Sequence, residues 1–485
     1  MSLTLVIGGV RSGKSARAEA LAAATGRPVR YVATADPEQM ADRVAAHRAR
    51  RPPHWETAEA GATLPLDFRG CILLDGLGVW LARHDGDVAD ELIAAAATGP
   101  VIVVAEEAGL GLLPMDPVAR GWLDRLGEAT QQLSAAADRV ELVVAGRPLV
   151  LASRPEVVAR HHGDELVRDG LRDHAVNVLA GGPPDWLKHA LADARIDAYP
   201  DEREAVAALA ALHGRDPGEI VPTNGAVQAL WLLPVALRPS LAACVHPGFT
   251  ESEAALRAHG IPVARVLRDP NRDFVLDPLG VPEAADLVIV GNPASPCGTL
   301  SPASAVLALR RPGRTIVVDE AFMTMVPGEP ETLVRARLPD VIVVRSLTKS
   351  LSVPGLRVGY AVAAATLAER MRDVRPAWSV NALALAALAA AARRPEALAA
   401  AAVRAGAERD DLARRLVEIP HLRTWPSATN FCLVEVDDGP RTVARLRERR
   451  IAVRPAASFP GLGPNHIRIT ARDPRSNQRF AEALA

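Results

Sequence analysis

The sequence predicts an α/β protein built from two α/β halves, with a short α+β segment at its end. Three observations predict it. Short β-branched runs alternate with Ala/Leu/Arg helical patterns, as they do when strands feed helices packed on both faces of a sheet. The series pauses in a polar stretch, Arg160-His-His-Gly-Asp-Glu165, and a new pattern opens at Asp173-His174 and a Gly181-Gly-Pro-Pro184 turn. The length of 485 residues exceeds what one core holds and suits about three compact units.

Taken in order, Leu3–Ile7, Cys71–Leu74, Val101–Val104 and Leu142–Val144 read as strands of a parallel sheet. A boundary near residue 165 gives domains 1–165 and 166–485. Beyond it, Ala242–Val245, Leu287–Val290, Ile316–Val318, Val341–Val344 and Val358–Val362 again alternate with helices, and a smaller α+β part covers about 399–485. The longest apolar stretch, Ala382 to Ala392, is cut off by Arg393 and Arg394, too soon to span a membrane, and reads as a buried Ala-rich helix.

Composition narrows the class. Acidic and basic residues nearly cancel, 57 against 56, so no general basic surface favours nucleic acid. The opening MSLTLVIGG lacks the basic start and the apolar length of a signal peptide. The four cysteines form no CxxC pair; three lie in or beside apolar strand-like runs and read as buried thiols in a reducing cytosol, while Cys297 sits in a loop. The expectation is a cytoplasmic globular protein. Its basic residues are almost all Arg, and Lys stands only at Lys14, Lys188 and Lys349. A coding bias explains the scarcity, while a surviving Lys can supply a compact ammonium or a deprotonatable amine.

Lys14 lies in Gly8-Gly-Val-Arg-Ser-Gly-Lys-Ser15, a full G-x-x-x-x-G-K-S between a strand and a helical run. Gly8 and Gly13 let backbone N–H groups wrap a phosphate, Lys14 reaches its outer phosphates, and Ser15 holds Mg²⁺. Asp75, ending an apolar run, suits a second magnesium-organising carboxylate. After Asp36-Pro37, Arg43, His47 and Arg51 recur every four residues on one helix face. A histidine among arginines is held more neutral, and a neutral imidazole is a nucleophile towards phosphorus.

These segments, with Tyr31-Val-Ala-Thr-Ala, His47-Arg-Ala-Arg-Arg-Pro, Trp55, Asp75-Gly-Leu, Trp80 and Gly109-Leu-Gly-Leu-Leu-Pro, resemble the adenosylcobinamide kinase/adenosylcobinamide-phosphate guanylyltransferase family over about residues 1–150. The resemblance implies phosphorylation of adenosylcobinamide by ATP or GTP, then transfer of GMP from GTP through His47. Two departures stand out. The family usually reads Asn-Glu-Val-Gly where this chain has Glu106-Glu-Ala-Gly109, and Thr where Gly78 stands. Glu106 is expected to add negative charge near bound nucleotide. A nucleotide-binding regulatory module without transfer activity is the alternative.

In the second half, Lys349 in Ser346-Leu-Thr-Lys-Ser, followed by Arg357, suits an aldehyde cofactor carrying a phosphate. The amine forms an imine, which Arg cannot do, and Ser346, Thr348 and Arg357 can bind the phosphate. Asp319 ends a strand and could pair with a protonated pyridine nitrogen. Asn292 offers an amide to the ring oxygen, Thr223-Asn-Gly-Ala leads into a phosphate-seating helix start, and Phe249 offers a ring to stack.

In that order these segments resemble the fold-type-I pyridoxal-phosphate aminotransferase family, from about Asp173 to the C-terminus. The resemblance implies Lys349 as imine lysine, Asp319 as pyridinium partner, Asn292 as ring-oxygen donor and Phe249 as stacking ring. Gly225, Ala226, Ser346, Thr348 and Arg357 would hold the phosphate, and Arg468 the substrate carboxylate. Tyr199 would cross a dimer interface to the cofactor phosphate, implying a homodimer. Two branches stay open, histidinol-phosphate aminotransferase and threonine-phosphate decarboxylase. Phe322, where many aminotransferases have Tyr, and Asn177 favour the decarboxylase, whose product feeds the pathway of the first half. No Arg can be singled out for the substrate's distal phosphate, and Lys188 has no assigned role.

Overall fold

The computed structural model describes residues 3–35, 52–84, 86, 88–111, 113–153, 166–167 and 170–485. The chain divides into two compact units, Met1–Glu156 and Val157–Ala485. This division, like the expected one near residue 165, falls outside the described residues.

In the first unit β1 (Leu3–Gly8), β2 (Val29–Ala33), β3 (Glu56–Glu59), β4 (Cys71–Asp75), β5 (Val101–Glu106), β6 (Arg139–Val144) and β7 (Arg147–Ser153) form one sheet in the order β3-β2-β4-β5-β1-β6-β7. All neighbours are parallel except β6 and β7. The central strands are apolar throughout because both faces are covered. Successive residues serve different cores. Leu5, Leu74 and Val103 pack with Leu92, Leu126 and Leu133 on one face, while Val6, Leu73 and Ile102 pack with Ala18 and Leu21 on the other.

The second unit opens with β8 (Arg172–His174), followed by β9 (Ile220–Asn224), β10 (Ala242–His246), β11 (Val263–Leu267), β12 (Leu287–Gly291), β13 (Thr315–Asp319), β14 (Val341–Ser346) and β15 (Val358–Ala363). The last seven form a sheet ordered β11-β10-β12-β13-β14-β15-β9, parallel except for the pairs that β15 makes. The Ala-rich segment is a helix, Ala382–Ala392, mostly buried as expected. After the long helix Pro395–Val417 come β16 (Arg423–Thr424), β17 (Phe431–Glu435), β18 (Ile451–Pro455) and β19 (His466–Thr470). They form a second sheet, β16-β17-β19-β18-β8, whose last strand comes from the start of the unit. Among the described residues no helix is long and apolar enough to cross a membrane. All four cysteines are buried and free.

Candidate active sites

Each unit gathers its chemistry at the C-terminal ends of parallel strands, where loops converge over a crevice. In the first unit β1 runs into the Gly8–Ser15 loop and the helix Lys14–Ala24. The loop is tight. A Cβ at Gly8 would lie 2.4 Å from Ser12 Oγ and 2.8 Å from the Val143 carbonyl oxygen, and Gly13 has φ of 96°. Ser12 Oγ is buried without a hydrogen-bond partner, an orphan that a phosphate oxygen would satisfy. Lys14 is buried, its Nζ donating to the Gly9 carbonyl at 3.3 Å. Ser15 Oγ donates to Asp75 Oδ1 at 2.9 Å, and the Tyr31 hydroxyl donates to the other Asp75 oxygen. Mg²⁺ bound with a nucleotide takes one or two protein oxygens and completes its shell with phosphate and water, so this pair fits it. His47, with Arg43 and Arg51, lies outside the described residues.

The two departures from the family pattern touch each other. Glu106 ends β5, between the strands that carry Asp75 and the phosphate loop. Its Oε2 accepts the Gly78 N–H at 2.8 Å, and a Cβ at residue 78 would stand 2.4 Å from the same oxygen. Trp122 Nε1 donates to the Gly78 carbonyl at 2.8 Å. The carboxylate thus fills the space that a side chain at 78 would need. It is committed to the first turn of the helix Leu77–Leu81, where an anion is stabilised.

In the second unit His246, Asn292, Asp319 and Ser346 stand at or just beyond the ends of β10, β12, β13 and β14. The Asp319 side chain keeps some exposure, yet burial pushes its carboxyl up to about 6. The Ala321 N–H bond (3.0 Å) and the Lys349 charge pull the other way. A carboxylate that is costly to ionise alone is the partner a buried cation wants. Lys349 Nζ lies 6.0 Å from the centre of the Phe322 ring. Asn292 is buried, its side chain donating to the Ser301 carbonyl at 2.9 Å and accepting the Ser301 N–H at 2.8 Å, so these two bonds use one of its two amide hydrogens.

A phosphate seat adjoins them. Ser346, Gly359 and Thr223 are register partners across β14, β15 and β9, and the last leads into Gly225 and the helix Ala226–Leu237. A Cβ at Gly359 would fall 2.5 Å from Ala226 N, and one at Gly225 would fall 2.8 Å from Arg357 Nη2. The cradle therefore puts a guanidinium, a hydroxyl and a helix start together, with Gly225 at φ of 75°. Thr348 Oγ1 lies 3.2 Å from both the Val358 N–H and its carbonyl, bracing β14 against β15. These residues fit pyridoxal phosphate: an acid for its ring nitrogen, an amine, an amide and a phosphate cradle.

Sequence reasoning missed three side chains here. Glu253 Oε2 lies 2.8 Å from His246 Nε2, both fully enclosed, and steadies the turn that carries the half-buried Phe249. Burial opposes ionisation of Glu253, but His246, Arg265 and Arg257 outweigh it and hold the carboxyl far below the usual range. The third is Arg454, the register partner of Arg468 across β18 and β19, and buried like it. Arg468 donates to the Ala175 carbonyl at 2.9 Å and Ser295 Oγ at 3.3 Å. Burial and then the Arg454 charge lower its guanidinium to about 9. The Asp173 carboxylate acts on Arg468 in the opposite direction. Cross-strand pairing is the signal that singles out Arg454, and it cannot be seen in composition. Tyr199 is 76% exposed and stacks on the exposed Trp378 at 4.5 Å between ring centres.

Residues 175–484 match the family described as aminotransferase class I and II. The chain belongs to that family. Its first unit belongs to another: residues 4–151 match cobinamide kinase / cobinamide phosphate guanyltransferase. The chain is 38% identical over 170 aligned residues to the bifunctional adenosylcobalamin biosynthesis protein CobP of Pseudomonas aeruginosa, covering 31% of this chain and 98% of that one. For the second unit, histidinol-phosphate aminotransferase Rv2231c of Mycobacterium tuberculosis is 42% identical, over 66% of this chain and 89% of its own. Threonine-phosphate decarboxylase of Salmonella typhimurium is 30% identical, over 65% and 91%. The solved histidinol-phosphate aminotransferase of Clostridium acetobutylicum superposes with a TM-score of 0.61 at 22% identity, covering 65% of this chain and 98% of its own. Both expected resemblances, including the fold-type-I architecture, are thereby met.

Proposed function

We propose that the chain is a cytoplasmic, homodimeric enzyme of cobalamin biosynthesis with two active sites. One phosphorylates and guanylylates adenosylcobinamide; the other decarboxylates threonine phosphate. The fusion of a cobinamide kinase unit to an aminotransferase-family unit carries the reading, because aminopropanol phosphate, the product of the decarboxylation, is the linker in the phosphorylated form that the first site guanylylates. In the first site the loop N–H groups and Lys14 hold the nucleotide phosphates, with Mg²⁺ on Ser15 and Asp75. The substrate hydroxyl then attacks the terminal phosphorus. In the second step His47 attacks the α-phosphorus of GTP, pyrophosphate leaves, and GMP passes from His47 to the new phosphate.

In the second site Arg468 holds the substrate carboxylate and Arg454 the distal phosphate. The two anions fix which Cα bond stands across the cofactor ring. Bound there, pyridoxal phosphate supplies an electron sink for that bond. Asp319 keeps the proton on the ring nitrogen, Phe249 flanks the ring, and the Lys349 amine carries protons to and from Cα. Phe322 leaves the ring oxygen without the hydroxyl that a Tyr would give. Buried free thiols suit a reducing compartment.

The second reading, a histidinol-phosphate aminotransferase, is favoured by the 42% identical mycobacterial relatives of that name. One assay separates them. The purified chain should release CO₂ from threonine phosphate, and amino-group exchange between histidinol phosphate and 2-oxoglutarate without CO₂ release would decide for the aminotransferase. For the first site, labelled GTP should leave acid-labile GMP on the wild type and none on His47→Ala.

A further inference from the structure

The phosphate loop has an apolar neighbour that the nucleotide chemistry does not use. Val10, Leu110, Leu113, Met115 and Val118 are between 67% and 89% exposed, large side chains left facing solvent. They belong to adjoining segments. Gly8 and Glu106 are register partners at the ends of β1 and β5, and Glu107 N–H donates to the Gly8 carbonyl at 3.0 Å. The loop holding Val10 and the loop holding Leu110 to Met115 therefore leave the same sheet edge side by side. Val118 follows in the first turn of the helix Pro117–Ala136. An apolar group this concentrated beside a reacting centre marks something it meets.

The chemistry selects the occupant. Residues 108–115, Ala-Gly-Leu-Gly-Leu-Leu-Pro-Met, carry no ionisable group, so the loop offers no charge to a nucleotide or a free phosphate. A cobinamide is a broad macrocycle rimmed with methyl groups and uncharged amides, tethered to a single hydroxyl. For that hydroxyl to reach a phosphate held by Lys14, the macrocycle must lie against the loops flanking the phosphate loop. We infer that Leu110, Leu113, Met115 and Val118, with Val10 of the phosphate loop beside them, form the corrinoid platform of the first site, which sets affinity for the macrocycle. This rests on the kinase and guanylyltransferase reading of that unit.

The test is the full-length triple variant Leu110→Gln/Leu113→Gln/Met115→Gln, whose changes fall on exposed positions and spare the core. Adenosylcobinamide binding is followed directly by equilibrium dialysis, with GTP binding measured beside it. The expected result is a loss of corrinoid affinity of about tenfold or more, with GTP affinity within about twofold of wild type. Unchanged corrinoid affinity overturns the inference. So does a wild type that binds no corrinoid, or a variant whose sedimenting mass falls, which would make the patch an interface between copies of the chain. A wild type that binds corrinoid through the patch yet transfers nothing to it supports the platform while refuting the catalytic reading.

Discussion

Asp319 ends its strand with a carboxyl raised to about 6 by burial, opposed by one N–H bond and the Lys349 charge. Between the ordinary carboxylate range and that value the folded, cofactor-free protein binds the proton more tightly than the unfolded chain. Stability therefore falls as pH rises through the interval and levels off above it. Urea midpoints of cofactor-free wild type should drop between about pH 4.5 and about pH 7 relative to Asp319→Asn, which lacks the titration. The same variant should bind pyridoxal phosphate more weakly, because nothing then neutralises the ring cation. Gly78 and Glu106 make a second test. Gly78→Thr alone should destabilise the first unit by about 1–3 kcal/mol through overpacking against Glu106, and Gly78→Thr/Glu106→Asn should recover most of it in thermal unfolding. Lys188, unassigned by sequence, donates to Asp185 at 2.8 Å in an exposed pair, which contributes little.

Among elements, the helix behind the phosphate loop is anchored by a buried ion pair. Arg17 meets Glu141 of β6 at 2.8 Å, and Arg139 reaches the same carboxylate at 2.6 Å. Burial works against the charge on Glu141, and the two guanidiniums more than offset it, holding the carboxyl below the usual range. The stabilisation is thus complete above that range and is lost as pH falls. Arg17→Met should cost about 3–5 kcal/mol at neutral pH, read as an earlier unfolding step of the first unit, and less in acid. The strands legible in sequence were those with apolar runs, which burial on both faces makes continuous: β1, β4, β5, part of β6, β10, β12, β13, β14 and β15. Three of those that were not legible lack that pressure. The four residues of β3 are mostly exposed and polar, β8 is three residues long, and β16 only two. Likewise Lys14 and Lys349 could be singled out because Lys is rare here, whereas Arg454 is hidden among many arginines until strand pairing sets it opposite Arg468.

At the scale of the whole molecule, the exposed Tyr199–Trp378 stack bears on the proposed homodimer. An aromatic pair left in solvent is better used against a second copy, where Tyr199 would complete the phosphate seat. Sedimentation should give a dimer, and Tyr199→Ala should raise the dissociation constant for pyridoxal phosphate by about tenfold or more. A monomer with full cofactor affinity would remove the case for a shared site.

The strand β8 has a consequence of its own. Residues 172–174 leave the ribosome near the start of the second unit, long before their partners at 451–453. The first unit can fold while synthesis continues, but the small sheet that carries Arg454 and Arg468 cannot close until residues 451–453 have been made. Nor can the second unit be cut free at the residue where its family match begins, 175, without losing that strand. A separately expressed second unit should need Arg172–His174 to hold its substrate arginines in place.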